Sequence, residues 1–504
     1  MTPARRQATD SPQASQAGET ERNKQANQRK QVKLRTARLE KRRFQVPHIY
    51  VILFSLIALA AGATYLVPAG AYDLVPGPQG REIVDPDSFR YIDAAPVGLV
   101  EFLTAVPRGL VDAGEVVIFT FLIGGAFMVL RATGIIDLGV GRLARRFSHR
   151  GLLTIPLLMI PFAFIAAFIG TQELSLVYIP VILPLMLALR FDSITAAAVA
   201  LCATTAGFSA ALTNPVTVGL AQDIAGIPLY SGIGLRMVLF VGLVSAAALY
   251  VMRYAAKVRK NPEHSLVYAE DQKKRAELTK STETEPASAT KRQVAGIVVL
   301  LGFLALLLYG VLGLGWFMFE LAGLFLAMGV VVGLVAGLNT TQVCDSFTEG
   351  MRSVLMGAIV VGLARGVAVM LEDGQILDTV VHGLAVATIG LPAILAPLGM
   401  LLVQGSFNFL VPSGSGQAVI TMPVMAPLAD ILGVTRQTSV LAFQIGDGFA
   451  NIFYPTSGYF MACLALAGVS WTQWVRFIWP LMLIWLTMGI TALMVAHAIG
   501  WGPV

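Results

Sequence analysis

Apolar residues in this chain gather into long runs, with neither the alternation of exposed strands nor the one-sided stripe of soluble helices. Such runs cover Ile49 to Val67, Val116 to Leu130, Leu235 to Met252, Val294 to Leu312, Phe317 to Leu338, Val354 to Leu371 and Phe477 to Ala498. As helices they suit a hydrocarbon layer about 30 Å thick. Other apolar stretches are interrupted. Residues 151–190 contain Gly170-Thr171-Gln172-Glu173, and residues 193–227 contain the segment from Gly207 to Pro215. Residues 391–430 are broken between Ser406 and Gln417, and residues 437–468 between Gly446 and Asn451 and again between Tyr454 and Gly458. Proline has no amide hydrogen and drives the preceding residue out of helical angles, so the helix in 193–227 is expected to break at Asn214. Unwound backbone within a bilayer is tolerated where protein or a cavity satisfies it, which makes these breaks candidate binding positions.

The pattern also repeats. Gly125, Leu130, Ile135 and Asp137 recur as Gly366, Leu371, Ile376 and Asp378, an offset of 241, and Gly207-Phe208 recurs as Gly448-Phe449. Pro180 and Pro184 recur as Pro423 and Pro427, shifted by two residues. The expected fold is an all-α polytopic membrane protein with two inverted structural repeats. Each repeat would hold a re-entrant helical hairpin, 151–190 or 391–430, and a broken transmembrane helix, 193–227 or 437–468.

Composition agrees: 56% of the 504 residues are hydrophobic, 13% are charged and the mean hydropathy is +0.72, whereas a soluble domain carries about 25% charge. The net charge of +6 reflects where cations cluster. Residues 1–47 are polar and basic without the apolar core of a signal peptide, and read as a disordered cytoplasmic tail. Arg142, Arg145, Arg146 and Arg150 mark a second cytoplasmic segment and residues 253–292 a third, while Asp73, Glu82, Asp85, Asp87 and Asp93 crowd the other side. The positive-inside rule gives a first transmembrane helix and external segment (48–105), repeat 1 (106–252), a cytoplasmic linker (253–292), repeat 2 with its leading helices (293–498) and an external C-terminus (499–504). A cytoplasmic or inner membrane location follows. Basic juxtamembrane segments meet anionic lipid, so nucleic acid is not an expected partner. Cys202, Cys344 and Cys463 lie in or beside apolar runs and imply no disulfide framework, and the five histidines have no metal-ligand spacing. No organic cofactor is expected; H+ or Na+ are the candidate coupling ions.

At a hairpin tip or helix break, free amides at half-helix N-termini favour an anion and free carbonyls at C-termini favour a cation. The substrate-binding candidates are therefore Thr171, Ser209, Thr213, Asn214, Ser406, Asn408, Ser413, Ser415, Asn451, Thr456 and Ser457, with Gln172 and Ser175 beside them, and the acids Glu173 and Asp447. A carboxyl at membrane depth costs about 2.5 to 3.5 kcal/mol on insertion scales, so both acids are read as proton-coupling groups or counter-ions for a cationic substrate, the alternative being a protonated carboxyl that caps a helix end. The tips and breaks contain no Lys or Arg. Arg365 is the candidate clamp for a dicarboxylate, and its expected alternative is an ion pair with Glu115 or Asp447. Trp471, Trp474, Trp479 and Trp501 read as interface-belt aromatics.

Pro47 to Asp73, Ser406 to Gln417 with Thr421-Met422-Pro423, and above all Gln444 to Gly458 resemble the YfcC and DcuC families of the ion transporter superfamily. The resemblance implies a secondary transporter with scaffold and transport subdomains, an elevator-like motion and a homodimeric assembly. It implies a small-molecule substrate: a basic amino acid exchanged in the arginine/ornithine manner, or a four-carbon dicarboxylate. Related transporters use Ser-Asn-Thr motifs for carboxylate and sodium, which Thr213-Asn214-Pro215 and Ser406-Phe407-Asn408 only approximate. An enzyme is not expected: Gly446-Asp447 is similar to the motif of intramembrane aspartyl proteases, but Gln444 stands where their pattern has glycine.

Overall fold

The computed structural model describes residues 49–76, 82–136, 138, 148–282, 290–314, 316 and 318–502. The expected tail 1–47, Asp137 and the arginines at 142, 145 and 146 lie outside the described residues. Within the unit Ile49–Val504, α1 (Ile49–Ala63) leads into two antiparallel ribbons, β1 (Gly70–Ala71) with β4 (Arg90–Tyr91) and β2 (Leu74–Pro76) with β3 (Glu82–Val84). Then come α2 (Leu99–Asp112), α3 (Gly114–Ala132), α4 (Thr154–Ile169), α5 (Ser175–Ala188), α6 (Ser193–Ala210), a π-turn at Pro215–Gly219, α7 (Leu220–Ile224), α8 (Ile233–Lys260) and α9 (Tyr268–Thr282). The rest of the chain forms α10 (Lys291–Gly313), α11 (Met318–Ala336), α12 (Thr340–Asp373), α13 (Leu377–Ile389), α14 (Ala396–Leu410), α15 (Gly414–Ile431), α16 (Arg436–Ala450), α17 (Gly458–Ala467) and α18 (Trp471–Ala498). Among the described residues eight helical spans are long and apolar enough to cross a membrane.

One group of helices is organised by α12, which with 34 residues is about 50 Å long. The apolar run 354–371 is only its second half. Helices α2 and α3 pack along it in the opposite direction, and glycines set the approach. A Cβ on Gly109 would stand 2.3 Å from the Gly362 carbonyl oxygen, and one on Gly350 would stand 2.3 Å from that of Gly124. Small residues at such crossings let backbones meet where lipid supplies no hydrophobic drive between helices. At one end of α12, Arg108 forms a two-pronged ion pair with Asp373, and Arg365 lies 3.6 Å from Asp112 and 3.2 Å from Glu372. The expected pairing of Arg365 with Glu115 or Asp447 is therefore incorrect: acids one turn or two away on its own and the facing helix reach it first.

The second group is built on α6 and α16. Every residue of α6 is buried, as is every residue of α16 from Gln437 onward. A helix apolar on all sides belongs in the interior, and the alanines of α6 allow close neighbours. Thus a Cβ on Gly207 would stand 1.9 Å from the Ala163 carbonyl oxygen of α4, and one on Gly448 would stand 2.1 Å from Ser209 Oγ. The tryptophan expectation is corrected in part. Trp474 is fully buried and donates to the Ile452 carbonyl at 2.9 Å, and Trp471 donates to the Phe453 carbonyl at 3.1 Å. Both satisfy carbonyls freed where α16 ends.

The expected linker 253–292 is more than a spacer. Its first residues continue α8 to Lys260, and α9 fastens three chain ends. Asp271 accepts from the Ser193 amide at 2.7 Å and from the Ser193 hydroxyl at the start of α6. Lys274 donates to the carbonyls of Ala467 and Gly468 at 2.8 and 3.3 Å, satisfying the end of α17, and Arg275 donates to the Phe191 carbonyl at 2.8 Å. Asp271 is buried, so removing it leaves donors without partners. Asp271→Ala should lower unfolding stability by about 2 to 4 kcal/mol. A denaturant titration of the purified protein showing a change below about 0.5 kcal/mol, the range of an ordinary surface substitution, would contradict this role.

Candidate functional site

Helices α4 and α5 form a hairpin because Gly170 ends α4 in the left-handed region, φ 83°. Its tip meets the break after α6. A Cβ on Gly170 would lie 1.9 Å from Asn214 Oδ1, the atom that accepts from the amides of Val216 and Thr217 at 2.9 and 3.1 Å. Asn214 thus caps the π-turn, at the position where the proline rule places the break.

Amide side chains cross between the halves of the sequence. Gln172 donates to the Gly448 carbonyl at 3.2 Å and accepts from the Tyr459 hydroxyl at 2.8 Å. In the other direction Gln444 donates to the Phe208 carbonyl at 2.7 Å and accepts from Thr217 at 2.7 Å. These bonds satisfy the carbonyls near the ends of α6 and α16. Ser175 Oγ donates to the Gln172 carbonyl at 2.7 Å and lies 3.1 Å from Cys463 Sγ. The Gln172–Tyr459 and Ser175–Cys463 pairs advance together in sequence, so α5 and α17 run side by side with their N-termini at the same end.

Asp447 stands near the C-terminal end of α16 and is fully buried. Its Oδ1 accepts from Asn408 at 2.7 Å and from Asn451 at 2.8 Å. Asn408 also donates to Gln417, at 3.1 Å, which donates in turn to the Gln404 side chain at 2.7 Å, and Thr421 donates to the same Gln404 oxygen at 3.0 Å. On the other side of the carboxyl, Asp447 Oδ2 lies 2.8 Å from the position of a Cβ on Gly414, the first residue of α15. The carboxyls of Glu173 and Asp447 are near enough to interact electrostatically.

What this cluster leaves unpaired is mostly acceptor. Asp447 Oδ2, Asn408 Oδ1 and Asn451 Oδ1 are buried without a hydrogen-bond partner, as are the donor Gln404 Nε2 and the hydroxyls of Thr171, Ser209, Thr456 and Ser457. Buried polar atoms are ordinarily satisfied, so a concentration of exceptions needs an explanation. Three acceptor-only oxygens around one acid match a group with several N–H donors, or a metal cation with oxygen ligands. Among the described residues no three His, Cys, Asp or Glu side chains gather as a metal site. The N-terminus of α17, beginning after Ser457, has no side-chain cap, so its amides can meet an anion.

Other candidates sit elsewhere. Thr213 and Ser415 are half-buried, Ser413 is exposed and caps the Gly416 amide at 3.3 Å, and Ser406 is exposed along an apolar groove of about 420 Å3 between α14, α16 and α18. Helix α14 continues through Ser406 to Leu410, so the hairpin tip is shorter than the polar stretch suggests and Ser406 faces away from Asp447. Gln404, Thr217, Gln444 and Tyr459 were not among the candidates. A signal existed for one of them: Gln437, Gln444, Asp447 and Asn451 share one face of α16 at helical spacing.

Buried polar atoms at helix breaks, inside a bundle of membrane-length apolar helices, are the marks of a multi-pass membrane transporter. The family model of DcuC, the C4-dicarboxylate anaerobic carrier, matches residues 46–498, and the chain belongs to this YfcC/DcuC family. An Escherichia coli K12 protein named "Putative basic amino acid antiporter YfcC" is 36% identical over 86% of this chain and 93% of its own length. An uncharacterized Haemophilus influenzae protein is 26% identical over 90% of this chain and 98% of its own. Among solved structures, the YdaH transporter of Alcanivorax borkumensis is 18% identical with a TM-score of 0.40, covering 91% of this chain and 100% of that one. MtrF of Neisseria gonorrhoeae is 17% identical with a TM-score of 0.39, covering 90% and 96%.

Proposed function

We propose that this protein is a secondary active transporter of the cytoplasmic or inner membrane that exchanges a basic amino acid of the arginine/ornithine type by alternating access. The observation that carries the reading is the buried carboxyl of Asp447, with its second oxygen and the oxygens of Asn408 and Asn451 unpartnered. A guanidinium or ammonium brings several donors and one positive charge to those acceptors. The α-carboxylate of the same solute would meet the uncapped N-terminus of α17 beside Thr456 and Ser457. The name of the Escherichia coli relative agrees with this substrate class.

The second reading is a four-carbon dicarboxylate carrier, which the family's name favours. It needs a cation at the site, and Arg365 is engaged with Asp112 and Glu372. We therefore rank it below the amino acid. H+ held on Asp447 or Glu173, or Na+ among the neutral oxygens, would couple transport.

Reciprocal glycine contacts support the inverted-repeat organisation. Gly109 abuts Gly366 and Gly350 abuts Gly125, and the offset of 241 carries each member of one pair onto a member of the other. In this organisation the α4–α5 and α14–α15 hairpins are re-entrant and enter from opposite sides, α6–α7 and α16–α17 are the broken helices, and the N-terminus is cytoplasmic. The group around α12 would be the scaffold, and the route to a homodimer. Equilibrium binding of radiolabelled arginine to the purified protein tests the substrate class. Saturable binding displaced by ornithine and indifferent to succinate is expected; saturable succinate binding indifferent to arginine would put the dicarboxylate in its place.

A further inference from the structure

Arg236, in the first turn of α8, is fully buried, and Nε, Nη1 and Nη2 all lack a hydrogen-bond partner. Its guanidinium lies 5.7 Å from the ring centroid of Trp501, and Trp501 and Gln437 both crowd Gly232 at the start of α8. A cation–π contact is worth about 2 kcal/mol when desolvated, while burying an unpaired ion costs several kcal/mol. The stacking alone does not compensate the charge.

Among the described residues the packing around it supplies no counter-ion. Helices α4, α6 and α18, which pack on α8, contain no Asp or Glu, and neither do residues 224–262. The carboxyl of Asp430 is taken by Arg436, with bonds of 2.7 and 2.9 Å, and Asp223 in α7 is half-exposed and makes no ion pair with Arg236. Meanwhile the N-terminus of α8 has no side-chain cap, and this 28-residue helix directs its first amides and its dipole toward the same end. Flanking side chains Ile233, Met237, Val238 and Ile499 are apolar and exposed, as expected of a helix end standing in lipid near the headgroups.

We propose that Arg236 and the N-terminus of α8 form a binding site for a phosphate oxyanion, of a phospholipid headgroup or of free inorganic phosphate, at the end of α8 away from the linker. The forked guanidinium matches two phosphate oxygens, the amides take a third, and Trp501 holds the guanidinium plane from the other side. The site lies apart from Asp447: Gln437, beside Gly232 and Trp501, is ten residues before it on α16, about 15 Å along the axis.

The test is thermal unfolding of the full-length protein, delipidated in a zwitterionic detergent, with inorganic phosphate, with phosphatidylglycerol, and with phosphatidylcholine as a neutral-lipid control. The wild-type midpoint should rise saturably with phosphatidylglycerol or phosphate, and the ligand that acts identifies the source. Arg236→Met should unfold no earlier than the wild type without ligand, since it removes a buried charge, and its half-saturating ligand concentration should rise by about tenfold or more. Arg236→Lys should keep part of the response. Wild-type midpoints that ignore both ligands, that respond equally to phosphatidylcholine, or that respond just as they do in Arg236→Met would overturn the proposal.

Discussion

Asp447→Asn should reduce exchange of arginine by about 100-fold or more while leaving the fold intact. Asparagine keeps the shape of the side chain and an oxygen to accept from Asn451, but removes the charge. Separating a buried pair of charges typically costs 2 to 5 kcal/mol, and each 1.4 kcal/mol is about tenfold. Folding should not suffer, because neutralising an unpaired buried carboxyl removes a desolvation cost. Uptake into liposomes together with the unfolding midpoint separates the two effects. Arginine exchange within a few-fold of wild type in a stable Asp447→Asn protein would remove Asp447 from the site. A variant that neither folds nor transports would assign it a structural role.

Gly170→Ala should abolish transport for a different reason. At φ 83° an L-residue is strained by about 1 to 2 kcal/mol, and the new Cβ falls 1.9 Å from Asn214 Oδ1. To make room Asn214 must leave the amides of Val216 and Thr217, and losing such a cap costs about 0.5 to 2 kcal/mol more. The two residues should therefore couple: the penalty for Gly170→Ala should shrink by about 1 kcal/mol or more in an Asn214→Ala background. Additive losses of stability would show that the hairpin tip and the helix break act independently.

Much of the fold could be read from the sequence because glycine and proline punctuate it. Gly170 and the segment 411–413 end helices, and Pro215 starts the turn after the break that follows α6, where amide donors or helical angles fail, and these are local properties. The full length of α12 is hidden because its first half, Thr340 to Ser353, is largely polar, and the role of α9 because its charges read as solvent-facing. Only tertiary contacts reveal that Asp271 reaches the start of α6. Within the candidate site, acids and hydroxyls at the breaks were legible as polar residues in apolar surroundings. Ser406 instead faces the apolar groove, since a polar stretch does not say which side of a helix each member takes. The partners of Gln444 are not legible locally, because its bonds to Phe208 and Thr217 join parts of the chain more than 200 residues apart.

The most direct test of the account is counterflow in proteoliposomes loaded with arginine, ornithine or succinate, following entry of labelled arginine and labelled succinate. Labelled arginine should enter when driven by internal arginine or ornithine and not by succinate, and this entry should be lost in Asp447→Asn. Succinate counterflow without any arginine counterflow would contradict it, and would move attention from Asp447 to Arg365.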